Sequence, residues 1–337
     1  MSKIFDTNLY TKIYVVCPAN NKTGGTELLH QLVYHLNLIN KKAVVAYYLE
    51  GKQRQDGPVP AEFLCYVKEY CYMKDVIDSA DNILILPEVC IGKHRKYKKI
   101  QKCIWWLSVD NFMAISGRIN RLKRYGILSF LKHLWLNDYN SENDLKKISI
   151  HLYQSYYARN FLIEQKNIAD EKLFYLSDYI NDIYLNNLEV REKEDMVIYN
   201  PKKGRKFTEK LIAASSEIKW VPIQNMTNVE VQELMRRAKV YVDFGNHPGK
   251  DRIPREAAMS GCCIITSRQG AAGYHEDVAI NEEYKFADED RNIMAIVGTI
   301  KRCLEDYDTI YRDFFDYREI IKSEKIKFLK DIERIFQ

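Results

Sequence analysis

Residues 238–273 constrain the fold more than any other stretch of this sequence. The segment 240–244 is β-branched and aromatic and is followed by a glycine, a pattern typical of a buried strand that ends in a loop. Pro254 predicts the start of a helix, because proline is tolerated in the first helical turn, and Gly261 predicts its end. Residues 262–266 form a second short apolar run. The stretch therefore predicts one β-α-β unit with two parallel buried strands.

The loop between the first strand and the helix is predicted to bind an anion. Ligands of such units bind beyond the carboxyl ends of the strands, where the helix N-terminus offers free N–H groups and the positive end of its dipole. The loop and the first helical turn supply a glycine and three cations for a diphosphate: Gly249, Lys250, Arg252 and Arg255. Glu256 would repel a phosphate. It is therefore expected either to bind neutral hydroxyls, such as those of a ribose, or only to complement the helix dipole.

Residues 256–266, E-A-A-M-S-G-C-C-I-I-T, resemble the E-A-M-A-x-G-x-P-V-V-A-S segment of the family-4-like (group 1) glycosyltransferases. The resemblance implies that Glu256 binds the ribose of a nucleotide-sugar and that the preceding loop holds its diphosphate. The family pattern has a second glutamate eight positions earlier, where this chain has Pro248. The resemblance therefore leaves open whether the anomeric configuration is retained or inverted.

The same resemblance implies the fold and the domain organisation. We expect an α/β protein of the GT-B fold, with two Rossmann-like domains that face each other across a cleft and a C-terminal helix that crosses back to the first domain. The acceptor-side domain is predicted over residues 1–185 and the nucleotide-sugar-binding domain over residues 186–315. The C-terminal helix is predicted over residues 316–337.

A second anion-receptive turn is predicted at the start of the second domain. Residues 196–199 form a short strand, and N-P-K-K-G-R-K follows it directly. Cations and a glycine between a strand and a helix suit a phosphate. The turn also occupies the place of the family's glycine, arginine and lysine loop. Lys202, Lys203 and Arg205 are therefore predicted to bind the donor diphosphate.

The first domain is predicted to begin with a strand over residues 12–17, a loop that contains Gly24 and Gly25, and a helix over residues 28–38. The loop does not have the G-x-G-x-x-G spacing of a dinucleotide site. It resembles the Gly-Gly-x-x-Glu loop of the same glycosyltransferases, which implies a place near the reacting sugar. The alternative is a plain turn.

Two acids are candidates for proton transfer in the first domain. Glu88 follows a predicted strand over residues 82–86, and Asp110 follows one over residues 104–109. The carboxyl ends of parallel strands point to a ligand crevice. Asp110 is either a general base or sugar-hydroxyl ligand, or a helix N-cap, and Glu88 is either a site residue or an exposed loop acid. A further strand is predicted over residues 62–66.

Residues 91–133 are strongly basic, with eleven Lys and Arg residues against one acid, Asp110. The cations are mixed with leucines and aromatic residues, which suits the surface of an anionic membrane. The alternatives are a core-packing helix with a solvated basic back, or a nucleic-acid surface. No DNA- or RNA-binding motif accompanies the segment.

Length and composition exclude several classes of protein. The 337 residues suffice for two domains, and no run approaches the roughly 18 apolar residues of a membrane-spanning helix. The N-terminus lacks the form of a signal peptide, and the eight cysteines include no C-x-x-C pair, so we expect a cytoplasmic protein with reduced thiols. Residues 288–290 read D-E-D, the D-x-D pattern of metal-dependent glycosyltransferases. They precede a helix, so we expect capping and no metal requirement.

Together these features predict a metal-independent glycosyltransferase without a cofactor, of the hexosyltransferase type. It would transfer sugar from a nucleotide-sugar to a glycan or glycolipid acceptor in bacterial surface-polysaccharide synthesis (O-antigen or capsule), in peripheral contact with an anionic membrane. The alternatives are a non-catalytic protein that binds nucleic acid or membrane through residues 91–133, and a GT-B nucleotide-sugar epimerase. The nucleotide, the sugar, the linkage and the acceptor do not follow from the sequence.

Overall fold

The computed structural model describes residues 4–49, 57–116, 120, 122–123, 126–128, 131, 140–185 and 192–337. The chain divides into two compact units. The first comprises the residues up to Asp178 together with Ile326–Gln337, and the second comprises Tyr179–Lys325. The divisions between the units therefore fall after residues 178 and 325, whereas the sequence predicts them after residues 185 and 315.

The first unit contains a parallel sheet. Its strands in chain order are β1 (Lys12–Pro18), β2 (Lys42–Tyr48), β3 (Tyr70–Tyr72), β4 (Ile83–Pro87), β5 (Gln101–Trp106), β6 (Ile150–Tyr153) and β7 (Leu173–Tyr175). They lie in the order β3-β2-β1-β4-β5-β6-β7, and each neighbouring pair is parallel. The described α-helices are α1 (Gly24–Leu38), α2 (Val109–Ile115), α3 (Glu142–Leu145) and α4 (Tyr156–Asn160). The central strands are buried, as their runs of Val, Ile and Leu predict.

The predicted strand over residues 62–66 is wrong. Ala61–Tyr66 is a 3₁₀ helix, in which the Phe63 N–H donates to the Pro60 carbonyl at 2.9 Å, and the third strand of the sheet is Tyr70–Tyr72. Phe63 is the only buried residue of the 3₁₀ helix. The edge strand Tyr70–Tyr72 pairs with β2 and takes the place in the sheet that the prediction gave to residues 62–66.

The second unit contains another parallel sheet. Its strands are β8 (Glu194–Tyr199), β9 (Lys219–Pro222), β10 (Ala238–Asp243), β11 (Cys263–Ser267) and β12 (Lys285–Phe286), in the order β12-β11-β10-β8-β9. The α-helices are α5 (Arg205–Ala213), α6 (Asn228–Arg237), α7 (Arg252–Met259), α8 (Ile293–Glu305), α9 (Tyr307–Ile310) and α10 (Phe315–Ile335). The predicted β-α-β unit is confirmed as β10-α7-β11, with Val240 paired to Cys263 and Asp243 to Thr266.

The last helix continues from the second unit into residues of the first. Within the first unit, the Phe328 ring stacks on Trp105 with 6.4 Å between centroids, and Phe336 stacks on Phe5 at 5.4 Å. The Asp331 carboxylate accepts hydrogen bonds from the Ser177 N–H and hydroxyl at 3.1 and 2.7 Å. The predicted return of the C-terminal helix to the first domain is therefore confirmed. Among the described residues, no helix combines the length and the apolar composition that crossing a bilayer requires.

Candidate functional site

Two loops at the carboxyl edge of the second sheet touch through a pair of glycines. Gly204 follows β8 with φ +55°, and Gly245 follows β10 with φ +100°. A Cβ atom on Gly204 would lie 1.9 Å from the Phe244 carbonyl oxygen, and one on Gly245 would lie 2.6 Å from the Gly204 nitrogen. Only glycine fits such a left-handed, close-packed contact. The turn after β8 and the loop after β10 are thus held side by side.

The loop after β11 joins the same edge. Gly270 has φ +59°, and a Cβ atom there would lie 2.1 Å from the His247 carbonyl oxygen. The Ala271 N–H donates to that oxygen at 2.9 Å. Three loops therefore converge at the carboxyl ends of neighbouring parallel strands, which is where ligands of open α/β sheets bind.

Lys203 lies at the centre of these loops. Its Nζ is 3.2 Å from Asp243 Oδ2, 2.5 Å from Asp251 Oδ2 and 3.2 Å from His247 Nδ1. Asp243 is itself held by the Tyr241 hydroxyl, which donates to Oδ2 at 3.0 Å. The ammonium group is therefore fixed between two carboxylates beside the first residue of α7.

The charges in this cluster set the protonation of its members. Burial by itself lowers the pKa of Lys203, but the carboxylates of Asp243 and Asp251 outweigh it and raise the pKa above its ordinary value. Burial likewise raises the pKa of Asp251, and the hydrogen bond with His247 and the charge of Lys203 bring it below its ordinary value. Lys203 is thus a permanent cation at neutral pH.

The same cluster contains residue types that bind divalent cations. Asp243, His247 and Asp251 present ligand atoms that all lie within 4.8 Å of one another. Carboxylate and imidazole ligands suit several transition metals and zinc. The Lys203 ammonium lies among these atoms and supplies a positive charge there.

The D-E-D sequence does not cap a helix as expected. Asp288 Oδ2 accepts the Gly245 N–H at 2.8 Å, so this carboxylate fixes the loop after β10. Asp290 pairs with Lys210 at 2.6 Å, and Glu289, the residue that precedes the 3₁₀ helix Asp290–Asn292, makes no capping hydrogen bond through its side chain. Capping was predicted from chain position alone, and Asp288 and Asp290 instead contact the loop after β10 and helix α5.

Two predicted phosphate ligands are buried inside the unit instead. Lys250 Nζ pairs with Glu324 Oε1 at 2.6 Å, and Arg255 Nη1 pairs with Glu324 Oε2 at 2.7 Å. Arg255 also donates to the carbonyl oxygens of Asp251 and Lys250, at 3.1 and 3.0 Å. Both side chains therefore shape the loop before α7, and their role as direct ligands of a diphosphate stays a prediction.

The remaining predicted donor-site residues lie around the start of α7 and the turn after β8. Arg252 is the first residue of α7 and is half-buried, as is Glu256 one turn later, while Gly249 is buried in the loop. Lys202 is exposed, and Arg205 is exposed and pairs with Glu209 at 2.7 Å. Asp251, the N-cap residue of α7, makes no capping hydrogen bond through its side chain, which pairs with Lys203 instead.

In the first unit, the structure excludes one of the two interpretations of Asp110, the helix N-cap. Ser108 is the N-cap of α2, and its hydroxyl accepts the Asn111 N–H at 3.2 Å. Asp110 is therefore not the cap. Its half-buried carboxylate accepts the Tyr157 hydroxyl at 2.8 Å, which orients it at the carboxyl end of β5.

Glu88 is neither an exposed loop acid nor open to a ligand. It is 2% exposed, and its Oε2 accepts the Leu107 N–H at 3.0 Å, directly after β5. Burial raises its pKa to about 7, although hydrogen bonds from main-chain N–H groups oppose the shift. In the structure this carboxyl group holds the segment that leads to Asp110, and its predicted catalytic role stays a prediction.

Gly24 and Gly25 open helix α1, and Thr23 is its N-cap. A Cβ atom on Gly25 would lie 3.6 Å from Leu107 Cδ1, an ordinary contact. The start of α1 therefore adjoins the segment that Glu88 holds. These residues share the carboxyl edge of the first sheet.

The basic segment 91–133 is described only in part. Arg95 pairs with buried Asp144 at 2.5 Å, and Lys93 Nζ lies 4.5 Å from the centroid of the Tyr48 ring, so its first cations contact the first unit. Leu122, Ile127, Leu128 and Leu131 are between 40% and 84% exposed. Arg118, Arg121, Arg124 and Lys132 lie outside the described residues, and membrane contact stays a prediction.

Several residues of these networks were not predicted: Asp243, His247, Asp251, Tyr157 and Glu324. For Glu324 a signal exists in the sequence. It lies three residues after Ile321 and four before Phe328, on the apolar stripe of a long helix, where a charge must find a buried partner. Of the other four, Asp243 is the last residue of β10 and the rest lie in loops or helix starts, where the residue type does not reveal the partner.

Two all-parallel sheets, each flanked by helices, define an α/β protein of the GT-B fold. No protein-family model matches the sequence, and no curated protein matches it. Among solved structures, the chain is similar to sucrose-phosphate synthase from Thermosynechococcus elongatus, at 13% identity and a TM-score of 0.59, with 97% of this chain and 98% of that chain covered. It is also similar to the apo form of the lipopolysaccharide outer core galactosyltransferase WaaB, at 12% identity and a TM-score of 0.58, with 97% and 99% covered.

A third similar structure is a mutant of TarM from S. aureus in complex with fondaparinux, alpha-GlcNAc-glycerol and UDP. The identity is 13% and the TM-score 0.56, with 79% of this chain covered. This chain spans 57% of the length of the TarM chain. At these identities the likeness establishes the fold.

Proposed function

We propose that this protein is a glycosyltransferase that moves a sugar from a nucleotide-sugar donor to a glycan acceptor. One observation supports the proposal most strongly. The loops after β8 and β10 meet at Gly204 and Gly245 and fix the Lys203 ammonium beside the start of α7. The N–H groups at the start of α7 are suited to a diphosphate, and the Lys203 ammonium offsets the charge of the Asp243 and Asp251 carboxylates beside them. The fold agrees with this, and the similar TarM structure contains UDP.

The donor binds at the carboxyl edge of the second sheet in this proposal. Lys202, Lys203 and Arg205 contribute positive charge, and Gly249 and Arg252 bring the N–H groups of α7 to the phosphates. Glu256 binds the ribose hydroxyls. These fixed cations and dipoles stabilise the charge that develops on the leaving diphosphate, so that no metal ion or other cofactor is required.

The acceptor is activated by Asp110. Its carboxylate takes the proton of the attacking hydroxyl, and the Tyr157 hydroxyl orients it through their 2.8 Å hydrogen bond. The start of α1 at Gly24 and Gly25 contacts the reacting sugar. Glu88 keeps the segment before Asp110 in place through the Leu107 N–H.

The acceptor is proposed to be a lipid-linked glycan of a bacterial surface polysaccharide, such as O-antigen or capsule. The protein acts in the cytoplasm, and the basic segment 91–133 keeps it at the inner face of an anionic membrane rather than on nucleic acid. Support comes from the composition of that segment and from the similarity to WaaB, a lipopolysaccharide galactosyltransferase. The transferred group is proposed to be a hexose.

Asp110→Asn tests the catalytic part of this proposal. The full chain is incubated with UDP-, GDP-, dTDP- and CMP-sugars and a lipid-linked glycan extract, and release of free nucleotide is measured. We expect acceptor-dependent release by the wild type and a loss of about 10²- to 10⁴-fold in the variant, because the general base is missing. Nucleotide binding should be unchanged.

Asp308→Asn is the matched control, since Asp308 is exposed in the first turn of α9. Its turnover should equal that of the wild type. Equal turnover by Asp110→Asn and the wild type would contradict the role of Asp110. Conversion of a nucleotide-sugar without any acceptor would instead indicate an epimerase. Binding to vesicles or RNA without any nucleotide affinity would indicate a non-catalytic protein.

A further inference from the structure

Helix α10 carries two buried carboxylates: Asp331, which accepts hydrogen bonds from Ser177, and Glu324. Tyr317, Ile321 and Phe328 are each no more than 2% exposed, and Glu324 lies on the same stripe at 2%. A glutamate is almost never fully buried unless it is paired, because removing its charge from water costs several kcal/mol. The partners of Glu324 therefore decide what it does.

Both partners belong to the loop and the helix that the proposed donor site uses. Lys250 Nζ and Arg255 Nη1 contact different oxygens of Glu324, at 2.6 and 2.7 Å. The side chains are 6% exposed in Lys250 and fully buried in Arg255. The carboxylate thus bridges the two ends of the turn that leads into α7.

Arg255 extends this contact to the main chain. Its guanidinium donates to the carbonyl oxygens of Lys250 and Asp251, the two residues immediately before α7. The Asp251 carboxylate in turn accepts from Lys203. A continuous series of contacts therefore runs from Glu324 through Arg255 and Asp251 to the Lys203 ammonium.

We propose that Glu324 is a positioning residue for the diphosphate of the donor. Its ion pairs with Lys250 and Arg255 hold residues 249–252 in place. The N–H groups at the start of α7 and the Lys203 ammonium are then positioned before the ligand binds. This inference rests on the proposed function. Glu324 would preorganise the phosphate loop, although it lies far from that loop in the sequence. Preorganisation lowers the entropy loss that accompanies binding.

The consequence is a selective loss of affinity. Without the Glu324 carboxylate, the loop has to be ordered by the ligand, so binding of a diphosphate weakens. We expect the dissociation constant of the diphosphate to rise roughly 10- to 100-fold. This is the range found when residues that hydrogen-bond to metal ligands are removed. The matching nucleoside has no phosphate group to contact this loop. We therefore expect its dissociation constant to change less than about threefold.

The experiment is calorimetric titration of the full chain with UDP, GDP, dTDP and ADP, and with the matching nucleosides. Wild type is compared with Glu324→Gln, which keeps the size and removes the charge. Glu319→Gln is the matched control, because Glu319 is exposed on the same helix and pairs with Lys322 there. The control should bind both ligands as the wild type does.

Arg255→Lys provides a second variant in case Glu324→Gln does not fold. Lysine keeps the charge pair with Glu324, but it cannot also donate to both main-chain oxygens as the guanidinium fork does. The same diphosphate-selective loss is expected.

The two proposals fail in different ways. If the wild type binds none of the nucleotides, the proposed function fails and this inference fails with it. If the wild type binds a nucleoside diphosphate and folded Glu324→Gln or Arg255→Lys binds it equally well, only the positioning role is overturned. An equal loss for the diphosphate and the nucleoside would also overturn it, because the effect would then not lie in the phosphate loop.

Discussion

At the scale of single residues, burial decides what a carboxyl group can do. Glu88 and Asp110 both follow strands of the first sheet, and both were candidates for proton transfer. Glu88 is 2% exposed and accepts the Leu107 N–H, whereas Asp110 is half-buried and accepts the Tyr157 hydroxyl. The first therefore stabilises the fold near the site, and the second remains the candidate base.

The pKa of Glu88 predicts a pH-dependent stability. Burial raises it to about 7 from an ordinary 4.5, so between these values the folded protein binds a proton that the unfolded chain does not. The contribution to the free energy of unfolding is fully present below pH 4.5 and is lost as the pH rises through 7, on the order of 3 kcal/mol in all. Glu88→Gln cannot titrate. Urea denaturation should show that, from pH 5 to pH 8, the free energy of unfolding of the variant rises by about 2 to 3 kcal/mol relative to that of the wild type.

Glu69→Gln is the control for this experiment, since Glu69 is exposed before β3. Its stability relative to the wild type should not change between the two pH values by more than about 0.5 kcal/mol. A constant difference between Glu88→Gln and the wild type across the same range would show that Glu88 does not take up a proton on folding.

At the scale of elements, the candidate donor site depends on loops that are locked to one another. The loops after β8, β10 and β11 contact through Gly204, Gly245 and Gly270, and Asp288 binds the Gly245 N–H at 2.8 Å. Each strand ends in a short connection with little freedom. The main chain that carries Lys203 is therefore held by contacts with the neighbouring loops.

Gly245→Ala tests this contact. The new methyl group would lie 2.6 Å from the Gly204 nitrogen, in a residue with φ +100°, so main-chain atoms have to move. We expect a loss of at least about 2 kcal/mol in the free energy of unfolding, from the left-handed backbone and the clash together. Chemical denaturation followed by circular dichroism measures it.

Gly298→Ala is the matched control within helix α8. A Cβ atom at Gly298 would meet nothing within 4 Å, so this exposed position should gain about 0.5 to 1 kcal/mol from the higher helix propensity of alanine. Equal stability of the Gly245→Ala variant and the wild type would mean that the two loops are not in close contact.

At the scale of the whole molecule, local patterns predicted the fold well and the side-chain partners poorly. The β10-α7-β11 unit follows from short buried runs, a proline and a glycine, all within 36 residues. The prediction of a strand over residues 62–66 is wrong, because the apolar residues of this segment do not reveal that only Phe63 is buried there. For Lys250 and Arg255 the sequence predicted a place beside helix α7 but not their shared partner, Glu324. The partner of Arg255 lies 69 residues away, beyond the reach of any local pattern.

The last helix also belongs to this scale. Helix α10 begins in the second unit, pairs there with the loop before α7 through Glu324, and continues into residues of the first unit. Its apolar stripe was visible in the sequence. The buried carboxylate on that stripe was the signal of a specific polar contact, and its partner required the structure.

The central claim is that the carboxyl edge of the second sheet binds a nucleoside diphosphate without a metal ion. The most direct measurement is the melting temperature of the wild type with UDP, GDP, dTDP, CMP or NAD, each with and without EDTA. A ligand at about 100 times its dissociation constant stabilises the folded protein by roughly 2.7 kcal/mol. We expect one nucleoside diphosphate to raise the melting temperature equally with and without EDTA.

Glu256→Ala should lose this shift, because the ribose contact is removed, and Glu305→Ala, an exposed substitution at the end of α8, should keep it. A shift that EDTA abolishes would contradict the metal-independent site. The first candidates for ligands of the metal ion would then be Asp243, His247 and Asp251. No shift with any nucleoside diphosphate would contradict the account of the donor site itself.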